Sequence, residues 1–249
     1  MEKSPTITFV LPCFNEAPTV TAVIAAIRAN FCESASIVVV DNNSTDGTGS
    51  LAESCGAFVL NCGVQGKGAA MAMAFAELSA DYVVMIDGDL TYDLSEIRNH
   101  VDYTCNKKID MLIGCRGRNR DAYPIVHIFG NSLFTSVINL VTKNQFKDVL
   151  SGYRILSKRL YKSFPSFSKG YAIESELTYF AAQVRAKISE VDIIYLPRPA
   201  GSVSKLRTFR DGIIILSTIL VLLKDGKPVQ FFTILSVSAL IPAEGVGPV

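Results

Sequence analysis

The sequence predicts an α/β fold, a mostly parallel sheet with helices on both faces. Two observations predict it. Short apolar, β-rich runs alternate with helical stripes through the first hundred or so residues, the pattern of a parallel sheet with crossover helices. Polar clusters recur at the carboxyl ends of those runs, namely Asn15/Glu16, Asp41/Asn43, Lys67 and Asp87/Asp89. Ligands collect at that edge of such sheets.

Taken in order, residues 7–11 read as a buried strand, and Pro12-Cys13-Phe14-Asn15-Glu16 breaks it. Val20, Val23, Ile24 and Ile27 form an amphipathic helical stripe, with Pro18 near its start, where a missing N–H costs least. Residues 37–40 are a second strand closed by Asp41. Residues 42–49 are turn chemistry, with Ser44 and Asp46 as candidate caps for a helix running toward Ser54. Residues 57–60 form a third strand, and the glycine-punctuated loop 63–68 leads into an Ala/Met-rich helix over 69–79. Residues 82–86 form a fourth strand ending in Asp87-Gly88-Asp89. Leu94, Ile97 and Val101 mark another helix, and 111–114 a further strand. The second half is less regular: an apolar helix over 125–141, a polar turn over 148–154, a helix over 172–184 and a strand over 188–196.

The chain has 249 residues, enough for one large α/β domain or a domain plus an appendage. Apolar residues make up 49% and mean hydropathy is +0.31, with the excess in two late runs, 213–223 and 231–241. Each run is about half of the roughly 20 apolar residues a spanning helix needs. Arg198, Lys205, Arg207, Arg210, Lys224 and Lys227 flank the first run against Asp211 and Asp225, an excess that favours anionic lipid head groups. The expectation is a body over 1–210 and a membrane-associated segment over 211–249: an interfacial helix, then the start of a membrane helix that Val249 cuts short. A buried core helix is the alternative. No secretory leader precedes the first strand, so the body is expected on the cytoplasmic side of the membrane.

A net charge of +1 gives no global field for nucleic acid, and no nucleic-acid partner is expected. Six cysteines without a CxxC pair or histidine cluster argue against a zinc site and read as scattered thiols of a reducing compartment.

Asp87-Gly88-Asp89 carries the sharpest chemistry. Two carboxylates one residue apart at a strand end repel each other, and a divalent cation resolves that repulsion. Mg²⁺ or Mn²⁺ prefers oxygen ligands and shares them with a diphosphate. The bland alternative is an ordinary Asp-Gly turn. Asp41 can accept hydrogen bonds from a base or ribose, whereas helix capping accounts for Ser44, Asp46 and Gly47. Gly66-Lys67-Gly68 opens a helix that can face phosphate, but the spacing is not a Walker A loop. No GxGxxG follows the first strand, which disfavours a nicotinamide dehydrogenase. Asp148 and Arg154 bracket a tight turn, Arg116, Arg118 and Arg120 form a basic cluster, and His100 and His127 are lone histidines. Glu174 and Glu176 lie two apart on a helix and do not share a face; which of them points to the site stays open.

Together these pieces resemble the family-2 glycosyltransferases, and within them the polyprenyl-phosphate, dolichol-phosphate mannose synthase-like branch. The matching segments begin with Leu11-Pro12-Cys13-Phe14-Asn15-Glu16, then Val40-Asp41-Asn42-Asn43-Ser44-Thr45-Asp46-Gly47-Thr48 and Gly66-Lys67-Gly68. Asp87-Gly88-Asp89, Ser151-Gly152-Tyr153-Arg154 and Ser204-Lys205-Leu206 follow in the family's order. The resemblance implies a GT-A, Rossmann-like fold plus C-terminal amphipathic, membrane-associated helices. It implies a nucleotide-sugar pocket of Pro12, Asn15, Glu16, Asp41, Asn43, Lys67, Asp87 and Gly88. Asp87 and Asp89 would hold the metal, Mg²⁺ or Mn²⁺. Asp148 and Asp89 would be the catalytic carboxylates, and Arg116, His127, Arg154, Ser204 and Lys205 would face the acceptor phosphate.

Three positions depart from the family's pattern: Asn42 where Asp is usual, Thr91 where Gln often follows the metal carboxylates, and His127 where Arg often stands. The implied activity is inverting transfer of a hexose from a UDP- or GDP-sugar to polyprenyl phosphate at the cytosolic membrane face. Membrane lipids are expected partners, and a homo-oligomer is allowed. Two alternatives stay open: a family-2 transferase acting on a glycan or glycolipid hydroxyl, and a membrane-bound sugar-nucleotide-binding pseudoenzyme. A nucleotidyltransferase is disfavoured, because Pro12-Cys13-Phe14-Asn15-Glu16 stands where its Gly-rich basic loop belongs.

Overall fold

The computed structural model describes residues 4–31, 35–117, 125–165 and 173–199, with isolated positions from 217 to 236. Seven strands form one sheet: β1 (Ile7–Cys13), β2 (Ser36–Asp41), β3 (Phe58–Asn61), β4 (Tyr82–Met85), β5 (Met111–Arg116), β6 (Arg154–Ser157) and β7 (Ile188–Ile193). Their order across the sheet is β3-β2-β1-β4-β6-β5-β7. All pairings are parallel except those of β6, which runs antiparallel between β4 and β5. The helices are α1 (Val20–Phe31), α2 (Thr48–Ser54), α3 (Lys67–Glu77), α4 (Ile97–Asn106), α5 (Ile125–Thr142), α6 (Lys158–Ser163) and α7 (Ile173–Gln183).

Strand periodicity divides the core between the two faces of the sheet. On β1, Phe9, Leu11 and Cys13 face one way and Val10 the other; on β2, Ile37 and Val39 oppose Val38 and Val40. The first set packs on Val20, Val23, Ile24 and Ile27 of α1 and on Ile97 and Val101 of α4. The second packs on Met71, Ala74 and Phe75 of α3, Leu160 of α6, and Ile173, Leu177 and Ala181 of α7. Helices therefore cover both faces, as the alternating pattern predicts, and the strands read as apolar runs because both faces are buried.

The second half differs from its sequence reading. The expected polar turn over 148–154 ends in a strand: Arg154 opens β6, and α6 follows directly. Arg154 does not look like a strand residue, but its side chain is fully buried with a hydrogen-bond partner for each of its nitrogens. The strand expected over 188–196 stops at Ile193, and only an isolated bridge, Tyr195 to Tyr92, continues it. Most of the two late apolar runs, and with them the segment over 211–249 expected to associate with a membrane, lies outside the described residues. Among the described residues no helix is long and apolar enough to cross a membrane. Cys13, Cys55, Cys62, Cys105 and Cys115 are free thiols.

Gly114 of β5 shows how tightly the sheet is packed beside its edge strand β7. A Cβ there would lie 2.6 Å from the ring of Tyr153 and 2.9 Å from Ile193. Gly114→Ala is expected to cost about 1–3 kcal/mol by overpacking, measured by urea unfolding. A loss below a few tenths of a kcal/mol would contradict this packing.

Candidate active site

The carboxyl ends of β1 and β2 are joined by a set of side-chain-to-backbone bonds. Ser44 Oγ accepts from the Asn15 N–H at 2.9 Å, and Asn15 Oδ1 accepts from the Thr45 N–H at 2.8 Å. Thr48 Oγ1 accepts from the buried Glu16 N–H at 2.9 Å, and Asp46 accepts from the Ala17 N–H at 3.0 Å. Asn15 and Asn43 adopt left-handed backbone, with φ of 53° and 67°, a region that Asn visits more readily than most residues. Ser44 is thus a cross-loop tie rather than a helix cap. The α2 N-cap is Gly47, with no side-chain cap, and Asp46 reaches past it to the Thr48 N–H at 3.0 Å. Asp41 turns toward Ser44, whose N–H it accepts at 2.9 Å. Pro12 lies within β1, opposite Val40.

Asn42 performs the corresponding task for the next loop. Its amide donates to Val64 O at 2.6 Å and accepts from the Gly66 N–H at 2.6 Å. That fixes the loop immediately before Lys67. An aspartate could accept at this position but could not donate to the carbonyl.

Beyond the end of β4, Asp87 and Asp89 meet two cations. Lys67 pairs with Asp87 and also with Glu174 of α7, at 2.5 Å. Burial alone would lower the Lys67 pKa, but Asp87 and Glu174 outweigh it and hold the ammonium above the ordinary lysine value. Arg198 pairs with Asp89 at 2.5 Å and lies 3.7 Å from Glu16. Burial and the Asp87 charge raise the Asp89 pKa, against the pull of Arg198. Thr91 is an orienting group rather than a ligand: its hydroxyl and N–H both donate to Asp89 Oδ1, at 2.6 and 3.1 Å. Gly88 is needed because a Cβ would strike the buried Cys13 thiol, and Gly152 because a Cβ would strike Asp87 and Lys67. Burial and then Glu16 and Asp41 push the Cys13 pKa up, so the site floor is a neutral thiol.

A second cluster lies around Asp148, whose side chain is 3% exposed. Arg116 grips it bidentately, through Nε at 2.8 Å and a terminal nitrogen at 2.9 Å, and Asn131 donates at 3.0 Å. Burial pulls the Asp148 pKa upward, but Arg116 overcomes it and holds the carboxyl below the usual range. Tyr92 and Tyr195 connect the two clusters. The Arg116 guanidinium lies 5.7 Å from the Tyr195 ring centroid, Tyr195 packs edge-on against Tyr92, and the Tyr92 hydroxyl accepts from the Gly152 N–H at 2.9 Å.

One expected acceptor residue is corrected. Arg154 is fully buried, and its guanidinium donates to Ser151 O, Val149 O and Thr178 Oγ1 at 2.8–2.9 Å. It shapes the loop that carries Asp148 and cannot reach an acceptor phosphate. His127 lies on α5, but its side chain, like Ser204, Lys205, Arg118 and Arg120, falls outside the described residues. The sequence left open whether Glu174 or Glu176 points to the site, and it did not place Arg198 or Tyr92 there; the structure brings Glu174 to Lys67. Both Glu174 and Glu176, the acidic residues of the first turn of α7, are buried, at 5% exposure. Arg198 and Tyr92 carry no local signal, since only the fold brings them to Asp89 and Gly152.

The profile of Glycosyl transferase family 2 matches residues 8–164. The chain belongs to this family. Glycosyltransferase AglJ of Haloferax volcanii is 33% identical over 239 residues, covering 95% of this chain and 77% of that one. The low-salt glycan biosynthesis hexosyltransferase Agl6 of the same organism is 30% identical, covering 84% of this chain and 52% of that protein. Among solved structures, mannosyl-3-phosphoglycerate synthase from Rubrobacter xylanophilus superposes with a TM-score of 0.75 at 25% identity, covering 91% of this chain and 76% of that one. Glucosyl-3-phosphoglycerate synthase from Mycobacterium tuberculosis, in complex with Mn²⁺, UDP-glucose and phosphoglyceric acid, shares the fold at a TM-score of 0.66 and 23% identity, covering 88% and 80%. The fold is the GT-A-like arrangement of these enzymes.

Arg116→Gln would strip the partner from a buried carboxylate. It is expected to cost about 3 kcal/mol at pH 7. The paired Asp148 adds stability above the unfolded carboxylate range and loses it as pH falls through its depressed folded value. The gap between wild type and variant in urea unfolding should therefore narrow in acid; a gap that does not change with pH would contradict the pairing.

Proposed function

We propose that this chain is an inverting hexosyltransferase that moves a sugar from a nucleoside diphosphate to polyprenyl phosphate at the cytosolic membrane face, using Mg²⁺ or Mn²⁺. The observation that carries the proposal is the carboxylate pair beyond β4, held against two side-chain cations beside a helix start. Family membership supports the nucleotide-sugar donor, and the Mn²⁺ and UDP-glucose complex of a protein with the same fold supports the metal.

The donor set fits a hard divalent cation. Asp87 and Asp89 offer oxygen ligands, and both already attract cations in the structure. Among the described residues no third acidic, His or Cys ligand completes a cluster, in keeping with Mg²⁺ sites that borrow the remaining ligands from substrate phosphates and water. When bound, the cation would neutralise the charge that grows on the departing diphosphate.

The chain's own residues do the rest. Asn15, Asp41 and Asn43 line the ends of β1 and β2, where the base and ribose would lie. Lys67, fixed by Asp87 and Glu174 and with backbone N–H groups of α3 around it, adds positive field for the diphosphate. An acceptor phosphate oxygen attacks the anomeric carbon from the face opposite the leaving group. The carbon–oxygen bond to the diphosphate breaks, and its electron pair leaves with the nucleotide. A phosphate acceptor is anionic at neutral pH and needs no proton removed. That suits Asp148, whose depressed pKa and bidentate Arg116 make it a holder of a cation rather than a base. Lys205, Arg207, Arg210, Lys224 and Lys227, which flank the first late apolar run in the sequence, support a lipid-borne acceptor.

A hydroxyl acceptor is the second reading, favoured by the likeness to mannosyl-3-phosphoglycerate synthase. Membranes bearing the full chain, given UDP- and GDP-sugars with polyprenyl phosphate, soluble glycans or phosphoglycerate, separate the two. Label is expected in lipid and should vanish with EDTA. Asp89→Ala should lose at least about 10²-fold in turnover, the scale of a main electrostatic stabiliser. Near-normal turnover in that variant would sink the metal assignment, and label in soluble acceptors alone would replace the lipid.

A further inference from the structure

The two cations at the β4 end are not equivalent. Lys67 is tied by two carboxylates, and its side chain is 13% exposed. Arg198 is 27% exposed and arrives from the chain beyond β7. That stretch forms a short antiparallel ribbon with residues 91–93. The Asp93 N–H donates to Ile194 O at 3.1 Å, the Leu196 N–H donates to Thr91 O at 2.8 Å, and Tyr92 bridges Tyr195. Continuing this register three residues from the bridge sets Arg198 opposite Asp89.

The two oxygens of Asp89 have different surroundings. Oδ1 is turned into the protein, where it accepts both Thr91 bonds. Oδ2 takes the Arg198 guanidinium at 2.5 Å. A divalent cation that joins Asp87 to Asp89 needs this same oxygen. Two cations at bonding distance from one carboxylate oxygen repel each other, and in a partly buried site that repulsion is weakly screened. The other nitrogen of the fork lies 3.7 Å from Glu16, so a displaced guanidinium has a carboxylate to turn to.

We infer that Arg198 is an internal counter-cation for Asp89 that a divalent cation must displace, so that this residue sets the cation affinity of the site. The inference rests on the metal reading of Asp87 and Asp89 given above. It assigns Arg198 a role that requires no contact with donor or acceptor.

The test is a titration of the full chain with Mn²⁺ alone, read by the free-Mn²⁺ electron paramagnetic resonance signal, with thermal melting to check folding. Arg198→Gln is expected to bind Mn²⁺ about tenfold more tightly than wild type, the scale of one charge-assisted hydrogen bond removed from competition. Arg198→Lys keeps the charge but loses the fork, and should fall between the two. Adding Asp89→Asn should abolish the gain. Equal or weaker Mn²⁺ binding in both folded Arg198 variants would overturn the inference. If wild type and Arg198→Gln bind alike and Asp89→Asn abolishes binding, only the role of Arg198 falls. If Asp89→Asn leaves Mn²⁺ binding unchanged, the metal reading itself fails.

Discussion

The site depends on the repulsion among Glu16, Asp87, Asp89 and Glu174, gathered at the carboxyl edge of one sheet. Like charges gathered at one edge and partly out of water repel one another, with little screening. Lys67 and Arg198 resolve the conflict in pairs, the first between Asp87 and Glu174, the second between Asp89 and Glu16. Such a cluster is costly as a stability device, because burying ions loses hydration that pairing only partly returns. Under the proposed function, the cluster would receive a cation and the diphosphate bound to it.

Around this cluster the fold invests in rigidity. Strand ends that would otherwise be loose loops are tied to one another through Ser44, Thr48, Asp46 and Asn42, each bonded to backbone of a neighbouring loop. Arg154 ties the Asp148 loop to α7 through the Val149 and Ser151 carbonyls and Thr178, whose hydroxyl also donates to the carbonyl of Glu174. One buried guanidinium thus connects the element that carries Asp148 with the element that holds Lys67. Groups positioned in this way need not reorganise when charge moves, which is where preorganised sites gain most.

Much of the sheet was legible in the sequence because its parallel strands are buried on both faces and so read as unbroken apolar runs. The strand-end positions Asn15, Asp41, Lys67, Asp87 and Asp89 were legible for the same reason: the end of a run marks the edge of the sheet. Legibility ended where the rule of local pattern ended. β6 is four residues long, starts with an arginine and runs against its neighbours, so neither period nor composition marks it. The family resemblance put Arg154 at the acceptor phosphate, whereas the partners that make its burial tolerable come from three separate segments. Thr91 departs from the family's usual Gln, and its position two residues beyond Asp89 lets it orient that carboxylate. Arg198 lies more than a hundred residues from Asp89 in the chain, and only the Tyr92–Tyr195 register brings them together.

The most direct test of the central claim is a crystal grown with Mn²⁺ and a nucleoside diphosphate, with anomalous scattering measured at the manganese edge. One strong peak is expected beside Asp87, Asp89 and the diphosphate, with the base over the ends of β1 and β2. Manganese elsewhere, or a nucleotide seated away from this edge of the sheet, would contradict it.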